Sequence, residues 1–205
     1  RYSDALTAAD NAVTFCTVVK TIAAGNGLYA DFSPKPLPNQ PGSGFHINMS
    51  VKGPGENRMH HMMGGILRHV SDMTRFLNPS PQSYNRLGAF KAPKYISWSN
   101  NNRSMLIRIP AAAGEYRRVE LRSPDCTANP YLAFALLIWA GLDGIQNEID
   151  LPEKANVNLY TAEPRETEDM QTLPLSLGAA TKRAEESEFI RAHLPQSLIG
   201  CYRHH

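Results

Sequence analysis

The feature that most constrains the fold of this chain is a stretch in which charged residues alternate with apolar ones. Side chains two residues apart on a strand point to the same face, so Arg118, Glu120 and Arg122 would share one face. Val119 and Leu121 would then face the other side, where they suit a hydrophobic core. The stretch therefore predicts a strand with one charged and one apolar face. The arginines of this part of the chain are Arg103, Arg108, Arg117, Arg118 and Arg122.

The charged face of this strand has two interpretations. Two guanidiniums that flank one carboxylate can hold phosphate or carboxylate oxygens, and the carboxylate can also bind a metal ion. Alternatively, the face is a structural ladder of ion pairs on a solvated sheet, since such networks are common. The residues of the strand alone do not separate the two interpretations.

The local charge of this region favours an anionic small ligand. From residue 86 to residue 122 the chain carries eight Lys or Arg and only two acids, whereas the net charge of all 205 residues is +2. A nearly neutral chain without a basic patch interleaved with aromatic residues argues against general nucleic-acid binding. We therefore expect a small anionic substrate and no nucleic acid among the partners.

Size and composition predict a globular protein of the cytoplasm. The length suggests one domain or slightly more, and the chain is 42% hydrophobic and 20% charged. Cys16, Cys126 and Cys201 lack metal-binding spacing and are odd in number, which fits a reducing compartment. The longest apolar run, residues 131–142, is too short to span a bilayer, so we expect no membrane partner.

Hydrophobic periodicity predicts several helices in addition to the strands. The first helix, capped by Ser3, is expected to bury one face. The apolar run after Asn129 is hydrophobic all round and is therefore expected to form a buried helix, with Pro130 at its first position. The expected helices cover residues 3–25, 57–77, the run after Asn129, 176–186 and 187–202. Residues 84–93 are expected to be irregular and residues 147–172 to form a long surface excursion.

A second strand with a polar face is predicted over residues 45–51. His46, Asn48 and Ser50 share one face of it, and apolar residues share the other. Gly42-Ser43-Gly44 precedes this strand and lets a backbone or a ligand come close. We therefore expect a ligand-binding role for His46. Further strands are expected at residues 28–33, 95–99, 105–109 and 119–123.

Several separated motifs extend over nearly the whole chain. They are Gly42-Ser43-Gly44-Phe45-His46, Ser83-Tyr84-Asn85-Arg86-Leu87, Asn102-Arg103-Ser104, Ile107-Arg108-Ile109-Pro110, Arg117-Arg118-Val119-Glu120-Leu121-Arg122, Asn129-Pro130-Tyr131-Leu132 and Ala140-Gly141-Leu142-Asp143-Gly144-Ile145. In order and approximate spacing they resemble the motifs of glutamine synthetase. The resemblance rests on many independent segments and is therefore specific.

The resemblance implies an α+β fold in which a curved antiparallel sheet is backed by helices. Residues 1–205 would be the C-terminal part of a glutamine synthetase-like catalytic domain. The N-terminal β-grasp domain of the family, and the upstream strands that carry most of its metal-binding glutamates, would be absent from this chain.

The resemblance also implies an activity. The family joins glutamate and ammonia to make glutamine, using ATP and Mg²⁺ or Mn²⁺, through γ-glutamyl phosphate. It builds each active site between neighbouring subunits, so a homo-oligomer is expected for the full-length protein. We expect the 205-residue chain alone to be inactive, because it would hold only part of one metal shell.

Individual site residues follow from the resemblance. The implied metal ligands are His46 and Glu120. The residues implied to bind substrate are Gly42, His46, Arg86, Arg103 and Arg122, of which Arg103 and Arg122 are implied to be catalytic. The residues implied to bind nucleotide are Asn48, Ser50, Arg108 and Arg118. This assignment agrees with the chemistry, because arginine forks suit both carboxylates and phosphates.

The segment after Arg86 departs from the family pattern. The family carries a glutamate there, held to take a proton from bound ammonium, whereas residues 86–93 contain no acid and Lys91 falls near that position. Two alternatives therefore stay open: a relative that ligates glutamate to another amine, such as a polyamine, and a non-catalytic binding or structural subunit. Converging cations that repel one another without a ligand argue against the second alternative.

Overall fold

The polar strands predicted from the sequence meet in one four-stranded sheet. The computed structural model describes residues 2–53, 57–112, 114 and 117–203 of the chain. The strands are β1 (Ile47–Met49), β2 (Trp98–Asn100), β3 (Ile107–Ile109) and β4 (Val119–Leu121). They lie in the order β1-β4-β3-β2, so β4 is a central strand between β1 and β3.

The register of β4 with its two neighbours decides which side chains share a face. Both neighbours are antiparallel to β4, and Glu120 is paired with Asn48 of β1 and with Arg108 of β3. Directly paired residues point to the same side of a sheet. On the opposite side, Val119 and Leu121 are fully buried, which confirms the predicted alternation.

Strand β2 corrects the expectation of a fully antiparallel sheet. It pairs in parallel with β3, with Trp98 opposite Ile107. The Asn-rich segment after β2, where Asn101 has a φ of 58°, does not make a hairpin. Residues 101–106 instead carry the chain back to the starting end of β2 before β3 begins. The sheet is therefore mixed, within the α+β class that was predicted.

Helix α2 forms the centre of the hydrophobic core, behind the sheet. Its predicted apolar stripe is buried along its length, and the helix packs against α4 and α6. At Gly65 and Gly144 the backbones of α2 and α4 touch, because a Cβ on either residue would lie within 2.1 Å of a carbonyl oxygen. The helices are α1 (Ala5–Gly25), α2 (Arg58–Leu77), α3 (Pro81–Arg86), α4 (Pro130–Gln146), α5 (Pro164–Thr167), α6 (Leu177–Glu186), α7 (Glu188–His193) and α8 (Gln196–Cys201).

The cap of α4 forms as predicted, but α4 and α1 are less buried than expected. Asn129 accepts hydrogen bonds from the first backbone N–H groups of α4. One side of this helix stays open, however, and Trp139 is 47% exposed. Helix α1 begins after Asp4 rather than Ser3, and of its residues only Ala9 is buried. Hydrophobic periodicity in a sequence predicts that a helix has an apolar face, but it does not predict whether another element covers that face.

Three smaller expectations also change. Residues 28–33 do not form a strand, and Tyr29 is 87% exposed. The segment predicted as irregular begins in α3, whose N-terminus is capped by Ser80. The last predicted helix is divided into α7 and α8, because α7 ends at His193 and Pro195 follows its C-cap residue Leu194. In the described part of the chain, no helix is long and apolar enough to cross a membrane.

Candidate functional site

A cleft of about 380 Å³ opens beside the polar face of the sheet. Its lining residues are Gly42, Gly44, His46, Arg86, Lys91, Ala92, Arg103, Arg108, Glu120 and Arg122. Seven of the ten site residues expected from the sequence are among them. Among the lining residues that the structure describes, five side chains are cationic and only Glu120 is acidic, so the cleft suits a ligand with several negative charges.

Glu120 lies at the centre of the cationic cluster. Its Oε2 is 2.9 Å from Nε of Arg108 and 3.2 Å from Nε of Arg122. Neither contact has the direction of a hydrogen bond, so Oε2 is a buried oxygen that has ion-pair contacts but no hydrogen bond from the residues described in the structure. The carboxylate offsets the repulsion between two guanidiniums that the sheet brings together.

His46 faces the same carboxylate from the segment before β1. Its Nδ1 is 3.7 Å from Oε1 of Glu120. Burial, together with the nearby positive charge of Arg122, lowers the pKa of His46 to about 4 even though Glu120 acts in the opposite direction. The imidazole is therefore neutral at neutral pH, which is the form that binds a metal ion.

The glycine-rich approach is packed closely against these side chains. A Cβ on Gly44 would lie 2.8 Å from both Nε2 of His46 and Nη2 of Arg86. A Cβ on Gly42 would lie 2.4 Å from the carbonyl oxygen of Pro34. Glycine is therefore required at position 42, where a Cβ would meet backbone, whereas a Cβ at position 44 would displace the side chains of His46 and Arg86.

Arg86 is the last residue of α3 and forms the floor of the cleft. It is 2% exposed and donates hydrogen bonds to the carbonyl oxygens of Ser123 (2.6 Å) and Arg122 (3.2 Å). The buried Asn78 side chain binds the same stretch, donating to Ser123 O at 2.9 Å and to the carboxylate of Asp125 at 3.0 Å. Burial lowers the pKa of Arg86, but a guanidinium stays charged at neutral pH.

Arg103 and Lys91 form the exposed rim of the cleft, and Tyr160 connects them. The Tyr160 hydroxyl is 2.6 Å from the carbonyl oxygen of Lys91 and 2.7 Å from that of Arg103. Arg122 Nη1 also lies 3.4 Å from this hydroxyl. Sequence reasoning missed Tyr160, because it lies in the predicted surface excursion and belongs to no recognised motif.

Three predicted nucleotide-binding residues lie to one side of the cleft. Arg118 Nε donates to Oδ1 of Asn48 at 3.1 Å, which joins β4 to β1. Asn48 and Ser50 line a separate, mainly apolar groove of about 280 Å³ beside α4. The structure therefore brings Arg108 into the cleft but leaves Asn48, Ser50 and Arg118 next to it.

His46 and Glu120 form a pair of possible metal ligands rather than a complete shell. Residues 2–53, 57–112, 114 and 117–203 contain no group of three or more His, Cys, Asp or Glu side chains that could hold a metal. A neutral imidazole and a buried carboxylate oxygen without a hydrogen bond suit part of a divalent-cation site. The remaining ligands would have to be water, substrate oxygens or side chains outside this set.

Comparison with known proteins gives one consistent family. The model of the family described as "Glutamine synthetase, catalytic domain" matches residues 1–205. The chain is 43% identical to the glutamine synthetase of Methanosarcina mazei, covering 98% of this chain and 49% of that protein. It is also 43% identical to the glutamine synthetase of Pyrococcus furiosus, covering 95% of this chain and 47% of the relative. The chain thus spans about half the length of these curated relatives.

Solved structures agree with the sequence comparison. A structure described as a GmaS/ADP complex superposes with a TM-score of 0.86 at 33% identity, covering 98% of this chain and 50% of that one. A structure of GmaS without ligand gives a TM-score of 0.84 at 33% identity, covering 98% and 49%. The mixed sheet and its helices are therefore an arrangement that solved proteins share.

Proposed function

This chain belongs to the glutamine synthetase family, and we propose that it is the C-terminal part of the catalytic domain of an ATP-dependent ligase. The ligase joins glutamate and ammonia to make glutamine through γ-glutamyl phosphate. The observation that carries this proposal is the convergence of Arg86, Arg103, Arg108 and Arg122 on one cleft that also contains Glu120. Phosphoryl transfer depends on cations placed around developing negative charge, and a cluster of this kind meets that requirement.

The arginines of the cleft have different roles in binding the substrate. Arg86 and Arg122 bind the carboxylate and phosphoryl oxygens of glutamate, with Gly42 contributing backbone near the substrate amino acid. Arg103, on the rim, neutralises charge on the phosphoryl group during its transfer. Burial of Arg86 and Arg122 supports these roles, because charge-assisted hydrogen bonds are stronger where water is excluded.

His46 and Glu120 would hold one divalent cation, Mg²⁺ or Mn²⁺. The cation supplies positive charge to the phosphate oxygens when it is bound. His46 is suited to this role because its imidazole is neutral at neutral pH. Arg108, Arg118, Asn48 and Ser50 bind the nucleotide, and the ADP named in the related GmaS complex supports a nucleotide site in this fold.

The whole protein would contain more than this chain. We propose that an N-terminal β-grasp domain and upstream strands complete the metal shell, that the full-length protein is a homo-oligomer and that it acts in the cytoplasm. Residues 1–205 alone would then lack most of the metal ligands and have no activity. Glutamine formed by the isolated 205-residue chain would contradict this part of the proposal.

The direct test is an assay of the complete polypeptide that contains this chain. It is incubated with ATP, glutamate, ammonium and Mg²⁺ or Mn²⁺, and both ADP and glutamine are measured. We expect stoichiometric ADP and glutamine that depend on all four components. ATP hydrolysis without amide formation, or no turnover at all, would count against the assignment.

A second candidate is a ligase that joins glutamate to a different amine, such as a polyamine. The observation that favours it is Lys91, which lines the cleft where the family has an acid. A lysine cannot supply the negative charge that attracts ammonium. A panel of amines in the same assay separates the two ligases, and absence of turnover with every amine would leave a non-catalytic binding or structural subunit.

A further inference from the structure

The Tyr160 hydroxyl stands where three separate parts of the cleft meet. It contacts the carbonyl oxygen of Lys91 at 2.6 Å, that of Arg103 at 2.7 Å, and Nη1 of Arg122 at 3.4 Å. Lys91 comes from the segment after α3, Arg103 from the loop between β2 and β3, and Arg122 is the residue that follows β4. No other contact described in the cleft connects all three.

The backbone around Tyr160 is itself bound to the loop that carries Arg103. The N–H of Leu159 donates to Oγ of Ser104 at 2.9 Å, and Nδ2 of Asn102 donates to the carbonyl oxygen of Val157 at 2.9 Å. Ser104 Oγ and Asn102 Oδ1 are linked at 2.8 Å. The two residues on either side of Arg103 are therefore fixed to the chain leading to Tyr160, and the phenol adds the third point of attachment.

The contacts of Tyr160 concern its hydroxyl rather than its ring. Tyr160 is 36% exposed, and its ring is not among the described side chains that pack against the hydrophobic core. The hydroxyl end points inward, and its desolvation raises the pKa of Tyr160 above the usual phenol value. The group therefore stays protonated and donates its single hydrogen to one carbonyl oxygen at a time, while its oxygen accepts from Arg122.

We propose that Tyr160 is a positioning residue of the ligase, which aligns the Arg103 loop and the Lys91 loop over the cleft. This inference rests on the proposed function, since Arg103 must meet the transferring phosphoryl group for the alignment to matter. A shift of about 1 Å in such a group is enough to slow a reaction strongly. Because Tyr160 does not touch the reacting atoms, its loss should change turnover more than substrate binding.

The test replaces the hydroxyl alone, with Tyr160→Phe in the complete polypeptide. We expect kcat to fall roughly tenfold or more while KM for ATP and for glutamate changes less than about threefold. Tyr95→Phe is the matched control. The Tyr95 hydroxyl donates to Oγ1 of Thr167 at 3.3 Å, and Thr167 lies in the same long segment as Tyr160 but does not line the cleft. The control should retain the kinetics of the unmodified protein, and melting temperatures check that both variants are folded.

Hydrogen exchange supplies a second readout that does not depend on activity. In Tyr160→Phe, amides of residues 88–92 and 102–106 should exchange faster, whereas those of α2 should not. If the unmodified protein is an active ligase and Tyr160→Phe has the same kcat, the positioning role is wrong and the proposed function stands. If the unmodified protein has no ligase activity, the proposed function fails. The positioning role is then judged by hydrogen exchange alone, and it is wrong if the two loops exchange equally fast in Tyr160→Phe and in the unmodified protein.

Discussion

Arg108 and Glu120 lie directly opposite each other on β3 and β4, with 2.9 Å between Nε and Oε2. The same carboxylate oxygen also contacts Arg122, two residues further along the chain and just after β4. One buried acid thus neutralises two cations on one face of the sheet. The pattern of charges in the sequence left open whether these residues form a surface ladder of ion pairs. Their position in the cleft makes them part of the candidate site.

Replacing Glu120 by Gln should lower the stability of the protein. The change leaves two poorly solvated guanidiniums without their counter-ion, and we expect a loss of roughly 3 kcal/mol in the free energy of unfolding. Urea unfolding of the complete polypeptide measures this loss. Glu163→Gln, which removes an exposed pair with Arg165, should change the free energy by less than about 1 kcal/mol. Equal stability of the two variants would show that Glu120 does not hold the arginines together.

Replacing Arg103 by Ala should reduce turnover with little effect on folding. The side chain is exposed on the rim, so its loss costs little stability. If it neutralises the transferring phosphoryl group, kcat should fall by on the order of 100-fold. Steady-state kinetics check the result, with Arg117→Ala as control, because Arg117 is exposed and does not line the cleft. A similar fall in kcat in both variants would show that the loss of one positive charge, rather than the position of Arg103, causes the effect.

Replacing Lys91 by Glu should change how the cleft accepts a cationic amine. A carboxylate at this rim position attracts ammonium, so the KM for ammonium should fall roughly fivefold, which corresponds to about 1 kcal/mol. Initial rates at increasing ammonium concentration measure it. Lys52→Glu makes the same charge change at an exposed position away from the cleft. An unchanged KM in Lys91→Glu would show that the residue does not influence the amine.

His69 of α2 forms a charged cluster on the side of the core away from the cleft. Its Nε2 is 2.8 Å from Oδ2 of Asp143, and its Nδ1 is 3.9 Å from Asp72, which also binds Arg183. Burial alone would lower the pKa of His69, but the two carboxylates outweigh it and raise the pKa. Because the folded state binds the proton more tightly than the unfolded state, protonation of His69 stabilises the fold.

The sign of this effect sets the pH dependence of a His69→Gln variant. The stabilisation is fully present below the unfolded histidine pKa of about 6.5 and is lost as the pH rises through the higher folded pKa. We therefore expect His69→Gln to cost about 2 kcal/mol near pH 5.5 and clearly less near pH 9. Thermal unfolding at both pH values measures this difference. His60→Gln serves as control, since no ion pair is recorded for His60 among the residues that the structure describes.

Local patterns in the sequence predicted those features that depend on neighbouring residues alone. The buried stripe of α2, the cap of α4 at Asn129 and the two faces of β4 follow from helical and strand periodicity. Seven expected site residues meet in the cleft. Only Arg108 and Glu120 of these lie within paired strands, and the others come from segments that adjoin the sheet or from the end of α3. The motifs predicted the residues, but not the distances between them.

Tertiary structure decided the features that depend on segments far apart in the chain. The parallel pairing of β2, the exposure of α1 and the open side of α4 each depend on which element lies alongside, which periodicity does not contain. Tyr160 is the clearest example of a site feature that depends on segments far apart in the chain. It is 69 residues from Lys91 and 57 from Arg103 along the chain, yet one hydroxyl contacts both carbonyl oxygens. Residue types and spacing determined the chemistry available to this protein, whereas only the folded chain brought a phenol from a surface segment to the rim of the cleft.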